Sequence, residues 1–255
     1  MKQELCVVQD VSEVADNTYV LRFSSSFISS SILPGQFVNL RTDEGIEPLL
    51  RRPFSVYRVI DDSVEVIFNV IGRGTALLRN KKRGDTLDVL GPLGVPFSLS
   101  SQDFSTAILI AGGLGIAPLP ISASALLRSG KSMLTFLGAR TAAQLVESHL
   151  HNVHVATDDG SKGFHGTVVD LVRQFINKND VASPKIFACG PTAMLRAVAA
   201  LARETRIPCE VSMEGVMGCG FGICQGCPVE LVNGEKKYGL MCVDGPTFDI
   251  SRVNI

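Results

Sequence analysis

The sequence predicts a chain of three parts: an N-terminal antiparallel β-barrel over residues 1–101, a central α/β domain on a parallel sheet over 102–208, and a small cysteine module over 209–255. Three observations carry this. Short β-rich runs recur at even spacing in the first part. Beyond residue 104, apolar runs alternate with helix-like stretches. After Ile207-Pro208 the residues Cys209, Cys219, Cys224, Cys227 and Cys242 crowd the remainder.

The first part contains ELCVVQ, TYVLRFS, GQFVNLR, PFSVYRV, SVEVIFNVI and DTLDVLG, parted by turn signals such as Pro34-Gly35 and Asp61-Asp62. Evenly spaced short strands make a barrel or a sandwich. In the second part TAILIAG, SMLTFLGA, NVHVAT and KIFACG alternate with GTVVDLVRQFI and TAMLRAVAALARET. Strand alternating with helix builds a parallel sheet covered by helices on both faces. The apolar stretch 106–127 has the length of a membrane span, but Gly112, Gly113, Gly115, Pro118 and Pro120 interrupt it. It is expected to be a strand, a glycine turn and a buried helix. In the third part PVELVNGEKKYGLMCV reads as a hairpin turning at Asn233-Gly234.

Bulk properties narrow the function. Lys and Arg number 24 against 25 Asp and Glu, a net charge of −1 with no long basic run, so no nucleic-acid partner is expected. Seven cysteines, an odd number, argue against a disulfide scaffold. The opening MKQELCVVQDVSEV lacks the apolar stretch of a secretory leader, and a cytoplasmic protein without membrane attachment is expected.

The cysteine spacing is the sharpest signal. Cys219-x4-Cys224-x2-Cys227 is followed, after the hairpin, by Cys242. This is the C-x4-C-x2-C…C arrangement of a plant-type [2Fe–2S] cluster. Gly218, Gly220, Gly222 and Gly226 permit the positive φ values that let a loop aim backbone N–H groups at sulfur. A structural zinc site is the alternative, but zinc usually takes two separated C-x2-C pairs. Cys6 and Cys209 read as ordinary buried thiols.

Other motifs point to nucleotide cofactors. In RRPFSVY, Arg52 offers a fork of donors to a pyrophosphate, Ser55 a hydroxyl to a ring, and Pro53 places the strand at an edge or mouth. IFNVIGRGTALL runs from a strand into a helix start, a ready anion site. AGGLGIAPL follows a strand and opens a helix, the context of a phosphate-binding loop, with Pro118 where a full G-x-G-x-x-G has its last glycine. TDDGSKGFHG and CGPTAML each follow a strand, at the carboxyl edge where open α/β sheets bind ligands. Cys189 at that edge stands where it can approach a bound ring. His149, His151 and His154 lack a metal-ligand pattern and read as surface or loop residues.

In this order the motifs resemble those of the ferredoxin–NADP reductase superfamily over nearly the whole chain. The tail, with CGFGICQGC and MCVDGPTF, is similar to that of the electron-transfer subunits of two-subunit, NAD-dependent dihydroorotate dehydrogenases. The resemblance implies FAD held by Arg52, Pro53, Phe54, Ser55, Ile67, Phe68, Asn69, Gly74 and Thr75. It implies an NAD site shaped by Gly113, Gly115 and Pro118, with Asp158, Asp159 and Gly190 near it, and a [2Fe–2S] cluster on Cys219, Cys224, Cys227 and Cys242. Phe54 and Tyr57 depart from the commonest R-P-I-S-I form. The implied role is electron transfer between NAD and an FMN-containing dihydroorotate dehydrogenase catalytic subunit in pyrimidine (UMP) synthesis, in a heterotetramer of two of each. The chemistry would lie in the cofactors, with no catalytic side chain named. The same modules would serve another NAD(P)H-linked complex, such as a bifurcating transhydrogenase or a sulfhydrogenase. A zinc-stapled nucleotide-binding regulator is the reading from a different class.

Overall fold

In the computed structural model, which describes residues 1–43, 45, 47–232 and 236–255, the six N-terminal β-rich runs become six strands. They are β1 (Lys2–Ala15), β2 (Thr18–Ser24), β3 (Phe37–Arg41), β4 (Arg52–Ile60), β5 (Ser63–Asn69) and β6 (Thr86–Leu93). They close into a barrel in the order β1-β2-β5-β4-β3-β6, every neighbouring pair antiparallel. Closure leaves no unpaired edge. Inward residues such as Val8, Leu21, Phe23, Val38, Leu40, Val66 and Val89 fill the interior. Pro53 is paired with Asn39 of β3, while β4 meets β5 only from Val56 onward. Its missing N–H therefore lies at the barrel mouth, as the sequence suggested.

Two short helices belong to the barrel, α1 (Ser26–Ser31) and α2 (Arg73–Arg79). No sequence signal marked α1, because SSFISSS carries neither helix propensity nor periodicity. It forms because the Ser25 hydroxyl caps it, accepting from Ile28 N at 3.1 Å, and because Ile28 inserts fully into the barrel.

The central domain contains β7 (Thr106–Gly112), α3 (Leu119–Arg128), β8 (Ser132–Ala139), β9 (Val153–Thr157), β10 (Phe164–His165), α4 (Val168–Lys178), β11 (Pro184–Cys189), α5 (Thr192–Thr205) and β12 (Cys209–Ser212). The tail adds β13 (Pro228–Glu230), β14 (Tyr238–Leu240) and β15 (Thr247–Asp249). The sheet runs β10-β9-β8-β7-β11-β12-β15 and is parallel except for β15. Every residue of β7 is buried, as expected of a strand covered on both faces. On one face α3 packs Leu119, Ala123 and Leu126 onto Leu109 and Phe187, and this core continues into Val20, Tyr57 and Ile67 of the barrel. On the other, α4 and α5 pack Val169, Val172, Leu195 and Val198 onto Ile108, Ile110 and Phe136. The segment 106–127 is thus strand, 3₁₀ turn and helix; among the described residues no helix is long and apolar enough to cross a membrane.

The sheet reaches into the segment that the sequence assigns to the cysteine module. Cys209–Ser212 pairs with β11, and β15 pairs with β12 from the far end of the tail. Residues 96–105, between barrel and sheet, are held by a buried charge. Lys185 Nζ donates to Ser98 Oγ at 2.9 Å and lies 3.1 Å from Glu210 Oε1, while Ser98 N donates to Glu210 Oε2 at 2.9 Å. A buried ammonium needs such pairing to be tolerated.

Candidate functional site

The cysteine loop wraps its own sulfurs. Cys219 Sγ accepts from the backbone N–H of Phe221 at 3.5 Å and of Cys224 at 3.4 Å. Cys224 Sγ accepts from Cys219 N at 3.5 Å and Gly226 N at 3.4 Å. The glycines act in two different ways. Gly220 and Gly222 have φ of +80° and +93°, as expected. Gly218 and Gly226 do not. A Cβ on Gly218 would crowd Cys224 Sγ at 3.2 Å, and one on Gly226 would meet the same sulfur at 3.4 Å, an ordinary contact distance. β13 and β14 pair in the register Pro228 to Leu240, which returns Cys242 to Cys227 with sulfurs 3.3 Å apart. The hairpin is therefore present; its expected turn, Asn233-Gly234, lies outside the described residues.

The four thiols stand as two pairs. Cys219 and Cys224 are toward solvent, whereas Cys227 and Cys242 are buried among Phe37, Leu93, Met241 and Phe248. Among the described residues no group of three or more Cys, His, Asp or Glu side chains is gathered closely enough to hold a metal ion, while one zinc usually takes two separated C-x2-C pairs. A donor set of two thiol pairs with N–H groups aimed at sulfur suits a two-iron cluster instead. For Cys219, burial pushes the thiol up, but the N–H groups of Cys224 and Phe221 outweigh it and bring it down to about 6, toward the thiolate that iron needs. Burial, then the neighbouring Cys227, pushes Cys242 up to about 12.

A cavity of about 350 Å³ opens at the barrel mouth. Pro53, Phe54, Ser55, Ile67, Phe68, Asn69 and Thr75 line it, all residues that the sequence assigned to FAD. Arg52 and Gly74 are not in its wall but lie against each other beside it: a Cβ on Gly74 would meet Arg52 Nε at 3.3 Å and Thr42 Cγ2 at 3.6 Å. The Thr42 hydroxyl there is buried without a partner among the described residues. A guanidinium, an orphaned hydroxyl and a glycine turn together fit a pyrophosphate. Apart from Cys189, sequence reasoning missed the opposite wall, made with it by Phe37, Leu114, Ala117, Ser212, Met213, Glu214 and Met217. These come from distant segments and share no local pattern. Cys189 does reach this cavity, yet burial, then the Glu214 charge, pushes its thiol up to about 12, so it stays protonated. Desolvation at the rim raises the Glu214 carboxyl above the ordinary carboxylate value.

A second cavity, about 410 Å³, lies at the carboxyl edge of the sheet and includes Gly112, Gly113, Arg140, Asp158, Pro191 and Met194. Of the six residues expected around NAD, Gly113 and Asp158 line it. Gly190 adjoins it through Pro191. Gly115 serves close packing: a Cβ there would sit 1.9 Å from the Cys189 carbonyl oxygen. Pro118 is buried ahead of α3. Asp159 accepts from Ser161 N and Oγ at 2.9 and 2.6 Å, which builds its own turn. Of the three histidines, His154 is packed between Phe136 and Phe175, and His149 meets Arg58 of the barrel.

One more residue escaped the sequence reading. Asn39 of β3 is 1% exposed, and its Nδ2 donates to Cys219 O at 2.8 Å while Oδ1 has no partner among the described residues. It ties the cysteine loop to the barrel strand next to the cavity. Phe37, two residues earlier, lines the cavity on one side and packs with Cys227 and Cys242 on the other.

Known proteins resemble this chain in sequence and fold over nearly its whole length. Residues 214–254 match the family described as the iron-sulfur cluster binding domain of dihydroorotate dehydrogenase B. The electron transfer subunit of dihydroorotate dehydrogenase B (NAD(+)) from Bacillus caldolyticus is 38% identical over 247 residues, 94% of each chain. That of Fusobacterium nucleatum is 33% identical over 264 residues, the full length of both. Among solved structures, an NADH-dependent reduced ferredoxin-NADP oxidoreductase superposes with a TM-score of 0.86 at 31% identity, covering 98% of this chain and 90% of that one. A ferredoxin NADP+ reductase from Neisseria gonorrhoeae shares the fold, with a TM-score of 0.66 at 17% identity over 80% of this chain and 92% of that one.

Proposed function

Since this chain belongs to the family of dihydroorotate dehydrogenase B (NAD(+)) electron transfer subunits, we propose that its two linked sites, the barrel-mouth cavity and the cysteine loop, form its electron path. It is an oxidoreductase subunit that uses FAD, a [2Fe–2S] cluster and NAD, and it passes electrons between NAD and a partner dihydroorotate dehydrogenase subunit in pyrimidine synthesis. The observation that carries the path is the shared wall: Phe37 borders the flavin cavity and also packs on Cys227 and Cys242.

FAD exchanges a hydride with a nicotinamide and passes electrons singly, which lets it stand between NAD and a one-electron cluster. The chain's residues supply placement. Arg52, Gly74 and Thr75 would hold the FAD pyrophosphate. Pro53, Phe54, Ser55, Ile67, Phe68 and Asn69 would surround its ring. Gly113, Asp158 and the Gly190-Pro191 turn would seat NAD, with Gly115 and Pro118 fixing the glycine turn and Asp159 the adjoining loop. Leu114 and Ala117 close the ring cavity toward the sheet and exclude water there. Cys219, Cys224, Cys227 and Cys242 would hold the cluster. The labour would divide as barrel 1–101 for FAD, 102–208 for NAD and 209–255 for the cluster, with strand Cys209–Ser212 shared.

The partner would carry FMN and oxidise dihydroorotate, in a cytoplasmic heterotetramer of two of each subunit. The modules would equally serve a bifurcating complex, and a structural relative of that kind exists; the full-length sequence relatives favour the dihydroorotate enzyme. Replacing Cys224→Ser in the complex tests the path. NADH oxidation by a dye that takes electrons from flavin should persist, while dihydroorotate-dependent NAD reduction should be lost. Loss of both activities in a correctly folded variant with full FAD occupancy would count against the division.

A further inference from the structure

Strand β3 presents two faces. Val38 and Leu40 fill the barrel interior, so Phe37 and Asn39, alternating with them, point the other way, toward the tail. Phe37 packs on Cys227 and Cys242. Asn39 meets the other thiol pair: its Nδ2 donates to the Cys219 carbonyl oxygen at 2.8 Å. In the barrel Asn39 stands opposite Pro53, a wall residue of the flavin cavity. A single side-chain amide thus lies between the flavin wall and the cysteine loop. We propose that Asn39 is a positioning residue that raises the reduction potential of the [2Fe–2S] cluster, holding the Cys219 carbonyl so that the loop keeps its N–H groups aimed at sulfur; the inference rests on the cluster reading above.

Three observations argue for it. First, Asn39 Oδ1 is buried with no donor among the described residues. An unmet buried acceptor is costly, and an apolar strand residue such as valine would avoid the cost. What the position gains from an amide is the donor, Nδ2. Second, the carbonyl that Nδ2 holds lies between two donors to sulfur. Cys219 N donates to Cys224 Sγ, and Phe221 N donates to Cys219 Sγ, both at 3.5 Å. Third, the loop backbone is laid directly on the amide. A Cβ on Gly220 would fall 2.0 Å from Nδ2 and 3.2 Å from Oδ1. Gly220 makes its turn there with φ +80°, so the course of the loop from Cys219 to Phe221 follows where Asn39 stands. Reduction adds a negative charge to a cluster. N–H groups directed at its sulfurs favour that state over the oxidised one. A loop released from Asn39 would hold those N–H groups less well, and the potential would fall.

The test is a redox titration of the full-length chain, loaded with FAD and cluster without oxygen and followed by the EPR signal of the reduced cluster. Asn39→Ala and Asn39→Val should each shift the reduction equilibrium about three- to tenfold toward the oxidised cluster, ~30–60 mV for a one-electron couple. Thr247→Val is the control for loosening in general. It removes the hydrogen bonds from Thr247 Oγ1 to Val95 O and Pro96 O, which hold the tail away from the loop, and it should keep the wild-type potential. Wild-type potentials in both Asn39 variants would overturn the inference and leave Asn39 a structural tie. A Thr247→Val variant shifted as far as the Asn39 variants would overturn it too. So would failure of both Asn39 variants to hold a cluster, since the amide would then serve assembly rather than potential. A wild-type chain with no reducible [2Fe–2S] signal would instead bring down the cluster reading itself.

Discussion

The contact between Gly220 and Asn39 sets how firmly the cysteine loop is held, and a double-mutant cycle should expose it. A Cβ on Gly220 would fall 2.0 Å from Asn39 Nδ2, at a residue whose φ is +80°. Gly220→Ala therefore carries two penalties. The left-handed backbone costs an alanine about 1–2 kcal/mol, and displacing a buried side chain about 1–3 kcal/mol more. Asn39→Ala removes the bond to Cys219 O, at about 1–3 kcal/mol. The displaced amide in Gly220→Ala can no longer make that bond, so the second mutation adds little and relieves the clash. The assay is bleaching of the cluster's visible absorbance under excess chelator, which tracks local opening of the loop. Each ~1.4 kcal/mol should speed bleaching about tenfold. Gly220→Ala should bleach at least about thirtyfold faster than wild type, Asn39→Ala about tenfold faster, and the double variant no faster than Gly220→Ala. Flavin-to-dye turnover should be unchanged in all three. Multiplying rates in the double variant would refute the argument, because the two residues would then act independently.

Gly115→Ala should be poorly tolerated, since the added carbon meets backbone atoms of Cys189 and Gly190 that cannot rotate away. A loss of ~2 kcal/mol or more is expected, read as a drop of several degrees in apparent Tm together with a raised KM for NADH; an unchanged Tm would contradict this packing. The barrel–sheet contact of Arg58 with His149 should depend on pH. Burial, then Arg58, holds the His149 imidazole below its ordinary value. A base with a lowered folded pKa contributes stability above the unfolded value of about 6.5, and that stability is lost as pH falls below it. The groups facing it also include Glu65 and Arg22, and Glu65 opposes the shift. His149→Gln should flatten the fall in apparent Tm between pH 7.5 and 5.5; an equally steep fall in the variant would assign it to other groups.

Most strands were legible because each has an apolar run bounded by turn residues; their spacing gave the parallel sheet and, for the first part, a barrel or a sandwich, whereas the short β10, β12 and β15 carried no such signal. TYVLRFS and TAILIAG illustrate the two periodicities, one alternating and one continuous. The thiols were legible because ligand spacing is local. What stayed hidden depends on contacts between distant segments. Asn39 reads as an ordinary strand residue until the loop at Cys219 is folded onto it. Gly115 reads as a phosphate-loop glycine, yet its position is set by the carbonyl of Cys189. Cys209–Ser212 was assigned to the tail because Pro208 and the cysteines mark a change of composition, but a sheet continues wherever a strand finds a register, and β11 supplies one.

That shared strand bears on how the electron path is kept constant. An appended cluster module on a free linker would wander relative to the flavin cavity, and transfer would vary with it. Here the tail is fixed at several points. β15 closes the sheet against β12. Thr247 Oγ1 donates to Val95 O and Pro96 O at 2.8 and 3.0 Å, and Val95 N donates to Gly245 O at 2.6 Å, joining the tail to the segment that leaves the barrel. Asn39 holds the cysteine loop from the barrel side. The buried thiol pair thus faces the flavin wall in a fixed frame, while Cys224, Ile223 and Val216 remain exposed on the outer side. On the proposed path, internal transfer would depend on the fold of this chain, and adjustment to a partner would fall to the outer face, where few packed contacts resist it.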